Sequence, residues 1–181
     1  SGVWADVDAT ARGKVLLRAA TLIRERAESF AWAEVANAGH TIEDARWEAG
    51  AMADVFEYYA GAADKHLGSV VPTPDSGLGL VLKVPVGVCG LIVPWNFPML
   101  IATWKLAPAL AAGNPVVLKP ASLTPLSALK LGGLLVEAGV PLVAARASSR
   151  LHGLILERVG VDRVLYPEQE SGTALAQSLR A

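Results

Sequence analysis

From residue 84 onward the sequence alternates short apolar runs with helix-length segments that stop on glycine, and this alternation restricts the fold more than any other feature. Val86 to Val93, Pro115 to Leu118, Leu142 to Ala145 and Arg163 to Tyr166 are short and rich in β-branched or aliphatic residues. Met99 to Ala112 is a helical stretch closed by Gly113-Asn114, Leu126 to Ala138 is closed by Gly139, Ser149 to Val159 by Gly160, and Gln169 to Leu179 is the last. Strands that read as continuous apolar runs belong to parallel sheets covered on both faces by their crossover helices. The expected architecture for residues 84–181 is therefore an α/β domain, a Rossmann-like doubly wound parallel sheet.

Residues 1–83 read differently. Leu16, Ala20, Ile23, Ala27 and Phe30 recur at helical spacing with Arg18, Arg24, Arg26 and Glu28 between them, which predicts one amphipathic helix ending near Gly39. Thr41 with Asp44 three residues later signals a helix start, and Trp47, Ala51, Val55, Tyr58 and Tyr59 carry the expected apolar face to a stop near Gly68. Trp32, Trp47 and Phe56 mark this helical hairpin as needing an apolar partner. Between Ser69 and Val84 a Pro72-Thr-Pro-Asp-Ser-Gly77 turn cluster separates two short apolar runs, a β-hairpin pattern. The expected domains are a helical lead-in plus β-hairpin over 1–83 and the α/β unit over 84–181.

Composition removes several function classes. Sixteen Lys and Arg against seventeen Asp and Glu leave a formal charge of −1, which provides no basic footprint for nucleic acid or an anionic membrane. The uncharged run Val84–Trp104 has the length of a membrane span but contains Pro85, Gly87, Gly90, Pro94, Asn96 and Pro98. So many breaks would leave backbone groups unsatisfied in lipid, so no membrane span is expected. A single cysteine, Cys89, rules out an intramolecular disulfide and fits a reducing, cytoplasmic setting. His40, His66 and His152 lie too far apart in the chain for a local metal motif, so no metal is expected. The start has no secretion signal, and the missing Met suggests a trimmed chain or a fragment.

In an open α/β sheet, ligands bind outside the carboxyl ends of the strands, which draws attention to the residues after Val93 and Leu118. Three motifs stand there in order: Val86-Gly-Val-Cys-Gly-Leu-Ile-Val-Pro-Trp-Asn-Phe-Pro98, Trp104-Lys-Leu-Ala-Pro-Ala-Leu-Ala-Ala-Gly-Asn114, and Val116-Val-Leu-Lys-Pro120 with Thr124-Pro125 and Glu137-Ala-Gly139. Together they resemble the NAD(P)-dependent aldehyde dehydrogenase superfamily, an oxidoreductase family, over roughly residues 4–141. The likeness includes Arg12-Gly13 and Tyr58-Tyr59-Ala60-Gly61, and it covers only the family's N-terminal cofactor-binding portion.

The resemblance implies roles residue by residue. Asn96 matches the family's oxyanion-hole asparagine, whose amide donates to oxygen as charge develops; an Asn here also has the chemistry to cap the helix beginning near Pro98. Lys119 matches the lysine that bonds the adenosine ribose, although a solvated lysine ending a strand has the same sequence signature. Ser122 stands where the family most often has a glutamate, so the carboxylate that repels a 2′-phosphate is missing and NADP is admitted beside NAD. Ile92, Pro94 and Trp95 would line the nicotinamide side of the cleft; packing into the core is the alternative, above all for Ile92. Lys105 matches a family lysine and is also compatible with an ordinary surface charge. Cys89, inside an apolar strand, is expected to be a small core residue and not a nucleophile, since burial raises a thiol pKa.

In the family the general-base glutamate and the nucleophilic cysteine follow the segment matched by residues up to Pro141, and neither follows here. Val143-Ala-Ala-Arg-Ala147, His152 to Gly160, Asp162 to Glu168 and Ser171 to Ala176 are instead similar to the end of the regulatory nucleotide-binding domain of Trk/Ktr-type potassium-uptake proteins. The phosphate loop of that domain has no counterpart in the chain. The expected function is an aldehyde dehydrogenase-like NAD(P)-binding fragment, a chimera joined near residue 141 or a truncation, with at most residual dinucleotide binding. A genuine NAD(P)-dependent aldehyde dehydrogenase subunit and a nucleotide-sensing module are the alternatives. Unpaired edges of the hairpin predict self-association.

Overall fold

The computed structural model describes residues 2–74, 77–141, 144–146 and 163–165. After a short helix α1 (Gly2–Ala5), Asp8 accepts a hydrogen bond from the Ala11 N–H at 2.9 Å and starts α2 (Ala9–Glu25). The single helix expected up to Gly39 is two helices. At Arg26 the backbone leaves the helical region (φ −114°, ψ 16°), and α3 (Ala27–Ala38) sets off anew. The bend brings the Arg26 guanidinium onto Glu137, with two hydrogen bonds of 2.7 and 2.6 Å. Gly39 (φ 75°) ends α3, and Thr41 accepts from the Asp44 N–H to start α4 (Ile42–Ala62), as its capping pattern predicts.

The buried stripe of α4 is Ala45, Ala49, Met52, Ala53 and Phe56, not the expected face through Trp47 and Tyr58, both of which are exposed. Small residues win here because α2 and α4 pack closely. A Cβ added to Gly13 would sit 2.8 Å from the Ala60 carbonyl oxygen. Of the aromatic residues expected to seek a partner, Phe56 is fully buried, while Trp32 and Trp47 face solvent. One core holds Leu16, Ile23, Phe30, Met52 and Phe56 of the helical lead-in together with Met99, Leu110 and Leu131 from later helices. Trp4 fastens the start of the chain to it by donating to the Leu110 carbonyl at 3.0 Å, and Arg12 donates to that of Ala111 at 3.1 Å.

The hairpin forms as predicted. β1 (Ser69–Pro72) pairs antiparallel with β2 (Leu78–Val81), from Ser69 opposite Val81 to Pro72 opposite Leu78. β3 (Cys89–Ile92), α5 (Pro98–Ala111), β4 (Val116–Lys119) and α6 (Leu126–Ala138) follow, each within a few residues of its predicted place. β3 and β4 are parallel, from Cys89 opposite Val116 to Ile92 opposite Lys119. At their entry the buried Asn114 side chain accepts from the Val86 and Gly87 N–H groups at 2.7 and 3.2 Å. β5 (Ala144–Arg146) pairs in parallel with β6 (Arg163–Leu165). The molecule thus has a mixed α/β fold with parallel and antiparallel pairs. Among the described residues no pairing joins β3 and β4 to β5 and β6. The helices expected over 149–159 and 169–179 lie outside the described residues.

β3 and β4 also differ from strands covered on both faces. Cys89, Leu91, Val116 and Leu118 turn toward the core and are half-buried, whereas Gly90, Ile92, Val117 and Lys119 are exposed. Among the described residues, α5 covers one face only. The run Val84–Trp104 is accordingly a strand, a loop and the start of a helix, and no helix of the described residues is long and apolar enough to cross a membrane.

Candidate functional site

The register of the β3–β4 pair places Ile92 directly beside Lys119, at the carboxyl ends of both strands. Immediately past them run the loops Val93–Phe97 and Pro120–Pro125, so Ile92, Pro94, Trp95, Asn96, Lys119 and Ser122 belong to one end of one parallel pair. All six are exposed. Ile92, at 68% exposure, is therefore not a packed core residue, and Trp95 presents its indole to solvent at 65%.

The alternatives left open by the sequence separate on geometry. Asn96 does not cap α5: the capping residue is Phe97, no side chain bonds the first turn, and Pro98 occupies the first helical positions, where a missing N–H costs nothing. Lys105 is no mere surface charge. Its ammonium donates to the Ile92 carbonyl at 2.5 Å and so ties α5 to the last residue of β3. The Lys119 ammonium makes one long hydrogen bond, 3.4 Å, to the carbonyl of the adjacent Pro120, which leaves donor capacity unused. Cys89 is half-buried at the opposite end of β3, with its thiol toward the Gly87 carbonyl at 3.7 Å.

The loop bearing Asn96 is held from behind by residues that carry no motif. His40 Nε2 donates to the Asn96 backbone carbonyl at 2.7 Å, and Nδ1 lies 2.6 Å from Oε1 of the fully buried Glu48. The imidazole also meets the Phe97 ring edge-on, with centroids 5.0 Å apart. Burial works to lower the His40 pKa, but the hydrogen bonds to Glu48 and to the Asn96 carbonyl, with the charges of Glu48 and Glu34, hold it above the ordinary imidazole value. Burial raises the Glu48 carboxyl, only partly offset by the imidazole. One signal of this corner was present in the sequence. Glu34 follows Phe30 by four residues and Glu48 falls between Ala45 and Met52, so both glutamates occupy core-facing helical positions.

A parallel strand–helix–strand unit whose strand ends carry an exposed lysine, a hydroxyl and a tryptophan loop has the layout of an α/β ligand site. Residues 1–146 match the profile of the aldehyde dehydrogenase family, and the chain belongs to that family. It is 46% identical over 142 residues to a betaine aldehyde dehydrogenase of Bacillus subtilis, a match covering 77% of this chain and 29% of the relative. To the retinal dehydrogenase 2 of Mus musculus it is 38% identical over 169 residues, 91% of this chain and 33% of the relative. Among solved structures, the betaine aldehyde dehydrogenase of Staphylococcus aureus in complex with NAD+ superposes with a TM-score of 0.75 at 30% identity, covering 91% of this chain and 38% of that one. An NAD-dependent aldehyde dehydrogenase from Sinorhizobium meliloti gives a TM-score of 0.75 at 32% identity, over 92% and 39%. The chain thus spans between 29% and 39% of the length of these relatives.

Proposed function

We propose that the carboxyl ends of β3 and β4 form the ribose and nicotinamide side of an NAD(P) site that binds the dinucleotide weakly. In this reading the 181 residues alone do not oxidise aldehydes. The observation that carries it is the register that sets Ile92 beside Lys119, with the Pro94–Asn96 and Ser122 loops at the same end. The chemistry of the donors fits the cofactor. Lys119 retains N–H groups for ribose hydroxyls, Ser122 offers an exposed hydroxyl, and Trp95 and Ile92 offer exposed apolar surface for a flat ring. Ser122 brings no negative charge, so a 2′-phosphate meets no repulsion from it and both cofactors are admitted.

Asn96 is assigned as the oxyanion donor, its loop fixed by His40 and by Lys105 at Ile92, with its own amide free of capping duty. When bound, the nicotinamide supplies the hydride acceptor; the nucleophilic thiolate must come from residues other than Cys89, which sits at the far end of β3. The described β3–α5–β4–α6 unit is read as one half of a doubly wound sheet. Matches covering 91% of the chain extend beyond residue 146, which favours reading the later residues as a continuation of the same family over a splice near 141.

NADH and NADPH titrations followed by cofactor fluorescence test the proposal. Saturable binding that weakens about tenfold in Lys119→Ala is expected, the loss of one charge-assisted hydrogen bond. No saturation at millimolar cofactor would sink it.

A further inference from the structure

Three side chains that the dinucleotide site does not use for binding meet where α3 turns into α4. Glu34 lies near the end of α3, His40 follows the Gly39 stop, and Glu48 stands on the second turn of α4. One ligand atom from each, two carboxylate oxygens and a ring nitrogen, lies within 4.8 Å of the others. Both glutamates are fully buried. Both oxygens of Glu34 and Oε2 of Glu48 have no hydrogen-bond partner.

Buried carboxylates without donors are strongly disfavoured unless a cation or a proton neutralises them. The hydrogen on His40 cannot serve all of them. A carbonyl only accepts, so the 2.7 Å contact to Asn96 requires a hydrogen on Nε2. That leaves Nδ1 facing the carboxylates. A proton shared between Nδ1 and Glu48 at 2.6 Å neutralises one of the two and gives Glu34 no donor. A divalent cation neutralises both carboxylates and takes one ligand atom from each of the three residues. An imidazole that binds a metal through one nitrogen characteristically donates its other N–H to a backbone carbonyl, which fixes the tautomer; Asn96 is placed to receive it.

We propose that Glu34, His40 and Glu48 bind one divalent transition-metal cation, with zinc its simplest representative. Imidazole with two carboxylates suits zinc better than magnesium or calcium, which take oxygen ligands almost exclusively. A cleft lined by His40, Glu48, Thr41, Trp47 and Phe97 reaches two of the three ligands, giving the ion a route in. The bound ion joins the α3–α4 corner to the loop ahead of α5. None of these three ligands is among the residues assigned to the dinucleotide, although His40 also bonds the Asn96 carbonyl.

The test is calorimetric titration of the chelator-stripped chain with Zn2+ alone at neutral pH, with Co2+ absorption as a second readout. One ion per chain is expected, and E34Q and H40Q should each weaken binding by roughly 100-fold. A variant lacking the other imidazoles and the thiol (H66Q, H152Q, C89S) should bind as the unaltered chain does. Circular dichroism checks that the variants fold; if they do not, the readout is a rise in the melting temperature of the unaltered chain with Zn2+ but not with Mg2+. No saturable Zn2+ uptake, uptake unchanged by E34Q and H40Q, or no Zn2+-specific rise in melting temperature overturns the proposal.

Discussion

Single residues decide this structure where backbones approach or where a buried polar group is shared. Gly13 lies against the Ala60 carbonyl, so Gly13→Ala forces α2 and α4 apart and should cost about 1–3 kcal/mol, read as a lower melting temperature. Asn114 is buried and accepts two backbone N–H groups at the entry to β3. Asn114→Leu leaves those donors unpaired and should cost a further ~1–3 kcal/mol, with faster amide exchange at Val86 and Gly87. Gly113-Asn114 was legible in the sequence as a helix stop, but the second duty of Asn114 was not, because its partners lie far back along the chain. The same holds for Lys105 and His40: each bonds a carbonyl that only the tertiary fold brings near. Lys119 and Ser122, by contrast, drew attention from the sequence alone, because they stand at and just after the end of a predicted strand and within a motif resembling the family's.

At the scale of elements, the glycine stops at Gly39, Gly113 and Gly139 and the Thr41 start were readable because each depends on a few adjacent residues, and all three glycines adopt positive φ. The break at Arg26 was not. Arginine is a good helix former, so no local signal marks the bend, whose consequence is the contact of Arg26 with Glu137 far along the chain. The phase of α4 was misread for a related reason: aromatic residues outweigh alanines in any hydrophobic pattern, yet close helix packing selects the alanines. The hairpin carries a prediction of its own. Its strands are exposed, with Val70 and Leu78 both above 70% or at it, and among the described residues neither strand pairs with a third. Concentration-dependent self-association should appear in sedimentation velocity, and Leu80→Lys should shift the distribution toward monomer. Identical profiles for the two proteins would refute this.

For the molecule as a whole, the helical lead-in and the β3–α5–β4–α6 unit share one core, and the loop that carries Asn96 is braced by the lead-in through His40. Family membership and the mixed α/β fold were legible because three ordered motifs and the strand–helix alternation each constrain many residues at once. The one-sided exposure of β3 and β4 was not, since apolar strands read alike whether covered on one face or on both. The central claim is that the dinucleotide meets the chain at the carboxyl ends of this pair. Amide chemical-shift mapping on isotope-labelled protein during NADH titration tests it most directly. The account predicts the largest shifts at Ile92, Trp95, Asn96, Lys119 and Ser122. Saturable shifts confined to other residues, or none at millimolar NADH, would contradict it.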